Sequence, residues 1–167
     1  LNYPDFRAYE HSFMMMSQVS GRAGRKGKQG LVILQTKSPE LPVIQQVVHN
    51  DYQSFYSDLL VERHEFRYPP FYRLVYVYLK HRDDNTVNSA GLELGSRLRD
   101  IFGDRVLGPD KPAVARVNTL NIRKIMLKLE NGIDYPRVRQ YLRGALNAML
   151  KDKRYGALQV YYDVDPL

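Results

Sequence analysis

Apolar side chains recur with two different spacings along the second half of the chain, and each spacing predicts a kind of element. Short segments of alternating or mostly apolar residues predict strands at 74–80, 114–117, 122–130 and 158–164. Residues 86–102, and residues 135 to about 153, instead place apolar side chains three or four positions apart, as amphipathic helices do. The predicted order of elements is therefore βαββαβ.

This order is that of a split-βαβ unit, which predicts an α+β fold. In such a fold the strands form one antiparallel sheet, and both helices pack on the same face of it. The opposite face of the sheet is then free to meet a ligand. Alternation along the third strand places Lys124 and Lys128 opposite Ile125, so both lysines are expected on that face.

The first half of the chain shows a less regular pattern. An apolar and aromatic cluster ending at residues 13–16 predicts a helix over 10–18, and residues 42–66 fit one or two further helices. Between them, the apolar run 31–36 predicts a buried strand. Two adjacent prolines cannot continue a helix, so the segment 67–73 predicts a domain boundary.

Composition restricts the classes of protein to consider. The chain has 167 residues, of which 44% are hydrophobic and 26% are charged, and this is a globular composition. It has no cysteine, which excludes disulfides, thiol catalysis and cysteine-ligated zinc. No apolar run is long enough to span a membrane, and no secretory signal or initiating methionine is present. We therefore expect a soluble intracellular fragment of a longer protein.

Positive charge is concentrated in the second half. Residues 71–167 hold 17 Lys/Arg and 11 Asp/Glu, a net charge of +6, whereas residues 1–70 have a net charge of +1. A basic surface of this kind suits nucleic acid, although an ordinary solvated surface explains the same charges. The candidates for phosphate contacts are Lys124, Lys128, Arg116, Arg123, Arg139 and Arg143. The four histidines are scattered without metal-ligand spacing, so no metal site is predicted.

The stretch from Gln18 to Arg25 has the pattern Q-x-x-G-R-x-G-R. Arg22 and Arg25 can present two guanidinium groups from one turn of chain, and guanidinium binds phosphate oxygens bidentately. Such arginines suit the stabilisation of charge on a γ-phosphoryl group. The pattern is not a phosphate-binding P-loop, which requires G-x-x-x-x-G-K-[ST]. On its own, a Gly/Arg-rich segment is also typical of a flexible basic loop.

Taken with its flanks, this motif resembles a known family. QVSGRAGR is similar to motif VI of superfamily 2 helicases. The further segments are PDFRAYE at 4–10, G-x-V-x-L-Q-T at 30–36, ERHEFRYPP at 62–70, LGP at 107–109 and DVDP at 163–166. Together they resemble the primosomal protein N-prime family, the bacterial replication-restart DNA helicases.

The resemblance implies an ATP-dependent 3′-to-5′ helicase that recognises stalled forks in the bacterial cytoplasm and reloads the replicative helicase with other primosome proteins. It implies that residues 1–40 end the second RecA-like lobe, that 41–70 form a helical linker, and that 71–167 form a C-terminal domain. That domain would bind DNA, at forks or as single strands, and the single-stranded DNA-binding protein. No membrane partner is implied.

The resemblance also implies roles for individual residues. Arg22 and Arg25 would be arginine fingers, and Gln18 would help to sense the γ-phosphate. ATP, Mg²⁺ and zinc would belong to the full-length protein and not to this fragment. Because the chain has neither a Walker A lysine nor a DExH carboxylate pair, the fragment alone is expected to be inactive.

Two alternatives remain open. The chain could be a freestanding basic nucleic-acid-binding module without an ATPase role, which would leave Gln18, Arg22 and Arg25 unexplained. It could also be an interaction module that docks an acidic peptide, such as the tail of the single-stranded DNA-binding protein, and this is compatible with the helicase interpretation.

Overall fold

The computed structural model describes residues 5–23 and 30–166. The chain divides into two compact units, Leu1–Phe66 and Arg67–Leu167. The helices of the first unit are α1 (Ala8–Ser20), α2 (Pro42–Val48) and α3 (Tyr52–Glu65). The prediction of a helix around 10–18 is confirmed, and the segment 42–66 forms two helices.

A small apolar core holds the first unit together. Phe13 of α1 stacks on Phe55 of α3 with ring centroids 4.1 Å apart, and both side chains are buried. Arg63 donates a hydrogen bond of 2.6 Å to Glu10, so an ion pair also joins α3 to α1. Helix α3 begins where the Asp51 carboxylate accepts from the Ser54 amide, the usual role of an N-cap aspartate.

The prediction of a strand at residues 31–36 is wrong. The structure assigns no regular element to this segment, and Leu31 and Ile33 are 85% and 82% exposed. A strand needs a hydrogen-bonding neighbour, and the described residues of the first unit supply no other strand. Among the described residues, the apolar run is therefore irregular chain that pairs with no strand.

The second unit is a sheet with two helices. Its strands are β1 (Tyr72–His81), β2 (Val106–Asp110), β3 (Arg116–Val117), β4 (Leu120–Glu130) and β5 (Gln159–Val164). Its helices are α4 (Asp84–Phe102) and α5 (Tyr135–Met149), with 3-10 turns at Gly103–Arg105 and Lys153–Tyr155. The strand order is β2-β4-β1-β5, β3 pairs with β4, and every pairing is antiparallel. The predicted α+β class with an antiparallel sheet is confirmed.

The helix-covered face of the sheet forms the main core. Leu127 of β4 lies in register with Val75 of β1 and with Val106 of β2, and all three are buried. Helices α4 and α5 add apolar side chains to this face, including Leu94, Leu98, Leu142, Ala145 and Met149. Alternation then directs the even-numbered residues of β1 and β4 to the opposite face.

The second strand lies earlier in the chain than predicted. The main partner of β4 at this edge is β2, whereas the predicted strand 114–117 is reduced to the two residues of β3. Gly108 and Pro109 are typical turn residues, which hid β2 in the sequence. The register shift between Leu107 and Asp110 accommodates both of them. Helix α5 also ends earlier than predicted, at Met149.

Helix α4 begins at an aspartate cap whose strength depends on pH. The Asp83 carboxylate accepts from the amide and the hydroxyl of Thr86, each at 2.7 Å. The hydroxyl and then the amide of Thr86 hold the pKa of Asp83 below its ordinary value. A lowered pKa stabilises the fold above the unfolded-state pKa of about 4, and this contribution is lost as the pH falls through the folded-state pKa.

We therefore expect Asp83→Ala to lower the melting temperature at neutral pH, and the gap to the parent chain to narrow as the pH falls below about 4. Asp83→Asn is the matched control, because its amide oxygen still caps the helix without titrating. Thermal unfolding followed by circular dichroism between acid and neutral pH measures both gaps. A gap for Asp83→Ala that is the same at all pH values would contradict the prediction.

Candidate nucleic-acid interface

Six side chains from three strands lie on the sheet face away from the helices. Tyr78 of β1 lies opposite Lys124 of β4 and opposite Tyr161 of β5. Tyr76, two residues before Tyr78, shares this face by alternation. We call this surface the tyrosine–lysine face; its members are Tyr76, Tyr78, Lys80, Lys124, Lys128 and Tyr161.

The tyrosine rings pack on one another in a defined way. Tyr78 and Tyr161 are stacked, with ring centroids 4.8 Å apart and ring planes 12° apart. Tyr76 meets Tyr78 edge to face at 6.1 Å and 75°. Tyr161 lies on the edge strand β5 and is 41% exposed. The face therefore presents aromatic surface to solvent at one edge of the sheet.

Three lysines lie over tyrosine rings. The ammonium of Lys124 is 4.5 Å from the centroid of Tyr76, and that of Lys80 is 4.6 Å from the centroid of Tyr161. Lys128 is 3.7 Å from the ring of Tyr68. Such cation–π contacts hold the ammonium groups over the face without neutralising their charge.

Lys128 differs from the other two lysines because it is only 9% exposed. Burial is the main cause that lowers its pKa, and the nearby charge of Arg67 lowers the pKa further. A buried ammonium is poorly placed to contact a large polyanion. Lys80 and Lys124 are both half-buried and are therefore the better phosphate contacts on this face.

Two carboxylates limit the positive character of the face. Asp163 lies in register with Tyr76, and Asp110 lies in register with Lys124.

Burial, then Tyr161 and the charge of Asp163, raise the pKa of the Tyr78 hydroxyl. Tyr78 is therefore neutral at physiological pH and does not repel phosphate.

One predicted DNA contact belongs to the fold instead. Arg123 points to the helix side of the sheet and is 4% exposed. Its guanidinium donates to Asp84 at 2.8 Å and to Asn88 at 3.3 Å, both at the start of α4. The assignment of Arg123 to the DNA interface is therefore corrected. Arg123 lies two residues before Ile125, so alternation places both side chains on the same face of the sheet. This spacing is the sequence signal that could have placed Arg123 on the helix side.

Arg139 and Arg143 are predicted contacts that lie elsewhere. Both are exposed on α5, where they line a cavity of about 260 Å³ between α5 and strands β1 and β5. We call it the arginine cleft; it is also lined by Arg73, Val75, Leu129, Tyr135, Val138, Leu142, Tyr162 and Val164. Burial raises the pKa of Tyr162 there, and Arg143 offsets part of that rise. Because the cleft is on the helix side of the sheet, it is separate from the tyrosine–lysine face.

The remaining predicted residues are not brought together. Arg116 is exposed on the short strand β3. Gln18 lies on the last turn of α1, and Arg22 follows in a turn where its amide donates to the Val19 carbonyl at 3.1 Å; both side chains are exposed. Arg25 lies outside the described residues. Within the ranges 5–23 and 30–166, no group of three His, Cys, Asp or Glu side chains could hold a metal ion.

Sequence reasoning missed the stacked tyrosines. Alternation shows that Tyr76 and Tyr78 share a face, but Tyr161 is about 80 residues away. Only the antiparallel register of β1 with β5 brings Tyr161 beside Tyr78.

The described helices include none that is long and apolar enough to cross a membrane.

An antiparallel sheet that is covered by helices on one face, and that carries lysines and tyrosines on the other, defines a small α+β domain. Residues 64–167 match the family described as the primosomal protein N C-terminal domain. The chain belongs to this family of replication-restart proteins.

Full-length relatives agree with this assignment. The chain is 35% identical over 169 residues to replication restart protein PriA of Treponema pallidum, which covers all of the chain and 25% of that protein. It is 37% identical over 119 residues to PriA of Bacillus subtilis, covering 70% of the chain and 15% of the relative. It is 30% identical over 146 residues to PriA of Thermotoga maritima, and this match covers 87% of the chain and 19% of that relative. The chain thus spans a quarter or less of these relatives.

Proposed function

We propose that the chain is the C-terminal part of an ATP-dependent 3′-to-5′ DNA helicase, which recognises stalled forks in the bacterial cytoplasm and restarts replication through primosome assembly. Family membership supports the replication-restart role. We further propose that the second unit contacts DNA, at forks or as single strands. The order β2-β4-β1-β5 supports the split-βαβ assignment of this unit.

The tyrosine–lysine face is the observation that carries the DNA-binding proposal. Lys80 and Lys124 hold cationic ends over tyrosine rings on one surface of the sheet. Ammonium groups that neutralise phosphates release counterions, which supplies most of the free energy of non-specific binding. Aromatic side chains beside them are typical of surfaces that bind nucleic acid.

The helicase assignment also gives the first unit a role. We propose that residues 1–40 complete a RecA-like lobe. Gln18, Arg22 and Arg25 would then face the γ-phosphate of ATP bound with Mg²⁺. Gln18 and Arg22 are exposed, and the chain has no P-loop, so we propose that the phosphate-binding loop of this site comes from another part of the parent protein. Zinc would be bound by segments of the parent protein outside this chain.

The arginine cleft supports a second candidate function. Its lining is mostly apolar, and it also includes the side chains of Arg73, Arg139 and Arg143. An apolar groove edged by cations suits an acidic peptide with a hydrophobic anchor. We propose that this cleft takes an acidic segment of a partner, for which the single-stranded DNA-binding protein is the candidate implied by the family resemblance.

One experiment tests both surfaces against each other. We expect Lys80→Glu/Lys124→Glu to weaken binding of single-stranded DNA about tenfold or more at low salt and to lower the salt dependence of binding by about two charges. Arg139→Glu/Arg143→Glu, on the other side of the sheet, should leave DNA binding unchanged and abolish binding of an acidic peptide. Fluorescence anisotropy over a range of salt concentrations measures both. Equal DNA affinity of the parent chain and the lysine variant would reject the DNA interface.

A further inference from the structure

We propose that Tyr78 and Tyr161 form a base-stacking platform, so that the tyrosine–lysine face holds single-stranded nucleic acid through its bases as well as its phosphates. This proposal rests on the DNA-binding function proposed above and assigns the form of nucleic acid that the face accepts. Phosphate contacts alone would not distinguish a single strand from a duplex.

The ring geometry carries the argument. A planar base stacks best on an aromatic ring held in a fixed plane, and the 12° stack of Tyr78 on Tyr161 holds the Tyr161 ring in place. Tyr78 is itself held in place, because the ring of Tyr76 contacts it edge to face. The aromatic column therefore ends at Tyr161, over whose ring the ammonium of Lys80 also lies. A base that stacks on this ring would displace that ammonium toward the adjacent phosphate.

The position of Tyr161 leaves that end accessible. Strand β5 is the last strand of the order β2-β4-β1-β5, and in the part of the chain that the structure describes it pairs only with β1. Tyr161 is consequently 41% exposed, although it contacts Tyr78. A base that stacks beyond Tyr161 would extend the column outward past the edge of the sheet.

Charge favours a nucleic acid over an apolar protein partner at this edge. The ammonium of Lys80 lies 4.6 Å from the Tyr161 ring, where the phosphate next to a stacked base can reach it. Asp163 is at the Tyr76 end of the face and repels phosphate there. The strand backbone is therefore expected on the Lys80 side, and the bases over Tyr161.

A duplex cannot use this platform, because its bases are already stacked on one another and present only their edges in the grooves. Single strands can splay a base out and place it on an aromatic side chain. The face is thus expected to prefer single strands, and to tolerate any base sequence, since every base has a π-face.

The test compares two probes of equal charge on the full chain. One is a fluorescein-labelled oligothymidylate of about 16 nucleotides, and the other is an abasic deoxyribose-phosphate strand of the same length. The parent chain should bind oligothymidylate about tenfold or more tightly than the abasic strand. This ratio should persist as the salt concentration rises, because stacking does not depend on counterion release.

Tyr161→Leu should remove that preference and leave the affinity for the abasic strand unchanged, whereas Tyr161→Phe should retain it. Tyr141→Leu is the matched control, since Tyr141 is 39% exposed but lies on α5, and it should behave as the parent chain does. The proposal is overturned if the parent chain binds both probes equally, or if Tyr161→Leu and Tyr141→Leu lose the preference alike. If Lys80→Glu/Lys124→Glu weakens binding while Tyr161→Leu does not, stacking is rejected and the DNA interface stands.

Discussion

Leu127→Ala is expected to lower the free energy of unfolding of the second unit by about 2–5 kcal/mol. Leu127 is fully buried at the centre of the sheet, between Val75 and Val106 on the neighbouring strands. Backbone hydrogen bonds hold both of those strands in place, so they cannot close the cavity that alanine leaves. Small domains have total stabilities of about 5–15 kcal/mol, so this loss is a large part of the whole.

Thermal and urea unfolding of the chain measure this loss, and the melting temperature should fall by about 10 °C or more. Leu107→Ala is the control, because Leu107 lies on β2 at the position after Val106 and is 43% exposed. Its effect should remain within about 1 kcal/mol. Similar losses for the two variants would show that Leu127 is not at the centre of the core.

Arg22→Ala in the full-length parent protein is expected to lower kcat for ATP hydrolysis by about a thousandfold, if Arg22 is the arginine finger that we propose. A finger stabilises charge that develops on the transferred phosphoryl group, so kcat and kcat/KM should fall together. Arg22→Lys retains the positive charge but not the bidentate geometry, and it should recover little of the activity.

Arg82→Ala is a suitable control for the arginine-finger test, because Arg82 is an exposed arginine of the second unit. It should hydrolyse ATP at the parental rate, and Arg22→Ala should still bind single-stranded DNA. Unchanged kcat in Arg22→Ala would remove the ATPase role from this motif and favour a basic nucleic-acid-binding module.

Elements with a local signal were predictable. Helix α4 follows an aspartate cap and repeats apolar residues at helical spacing, so neighbouring residues define it. Strands β1 and β4 alternate clearly, and their alternation placed Lys124 on the correct face of the sheet. The family was recognisable from short segments spread along the whole chain, and the match of residues 64–167 confirms it.

Elements that depend on a distant partner were not predictable. Strand β2 contains Gly108 and Pro109, whose local preference is for turns, and it exists because β4 pairs with it. Segment 31–36 has the composition of a strand but no strand beside it within the described residues of its unit. In both cases hydrogen bonds to a neighbouring strand, or their absence, outweigh local propensity.

The candidate site shows the same division. The sequence alone determined the α+β class, the family, the excess of positive charge in the second half and the common face of Tyr76 and Tyr78, because composition and period-two alternation are local properties. Tertiary structure decided that Arg123 pairs with Asp84 inside the fold, and that Tyr161 stacks on Tyr78. The physical reason is that antiparallel register and helix packing bring together side chains distant in the chain, and no local pattern encodes which of them meet.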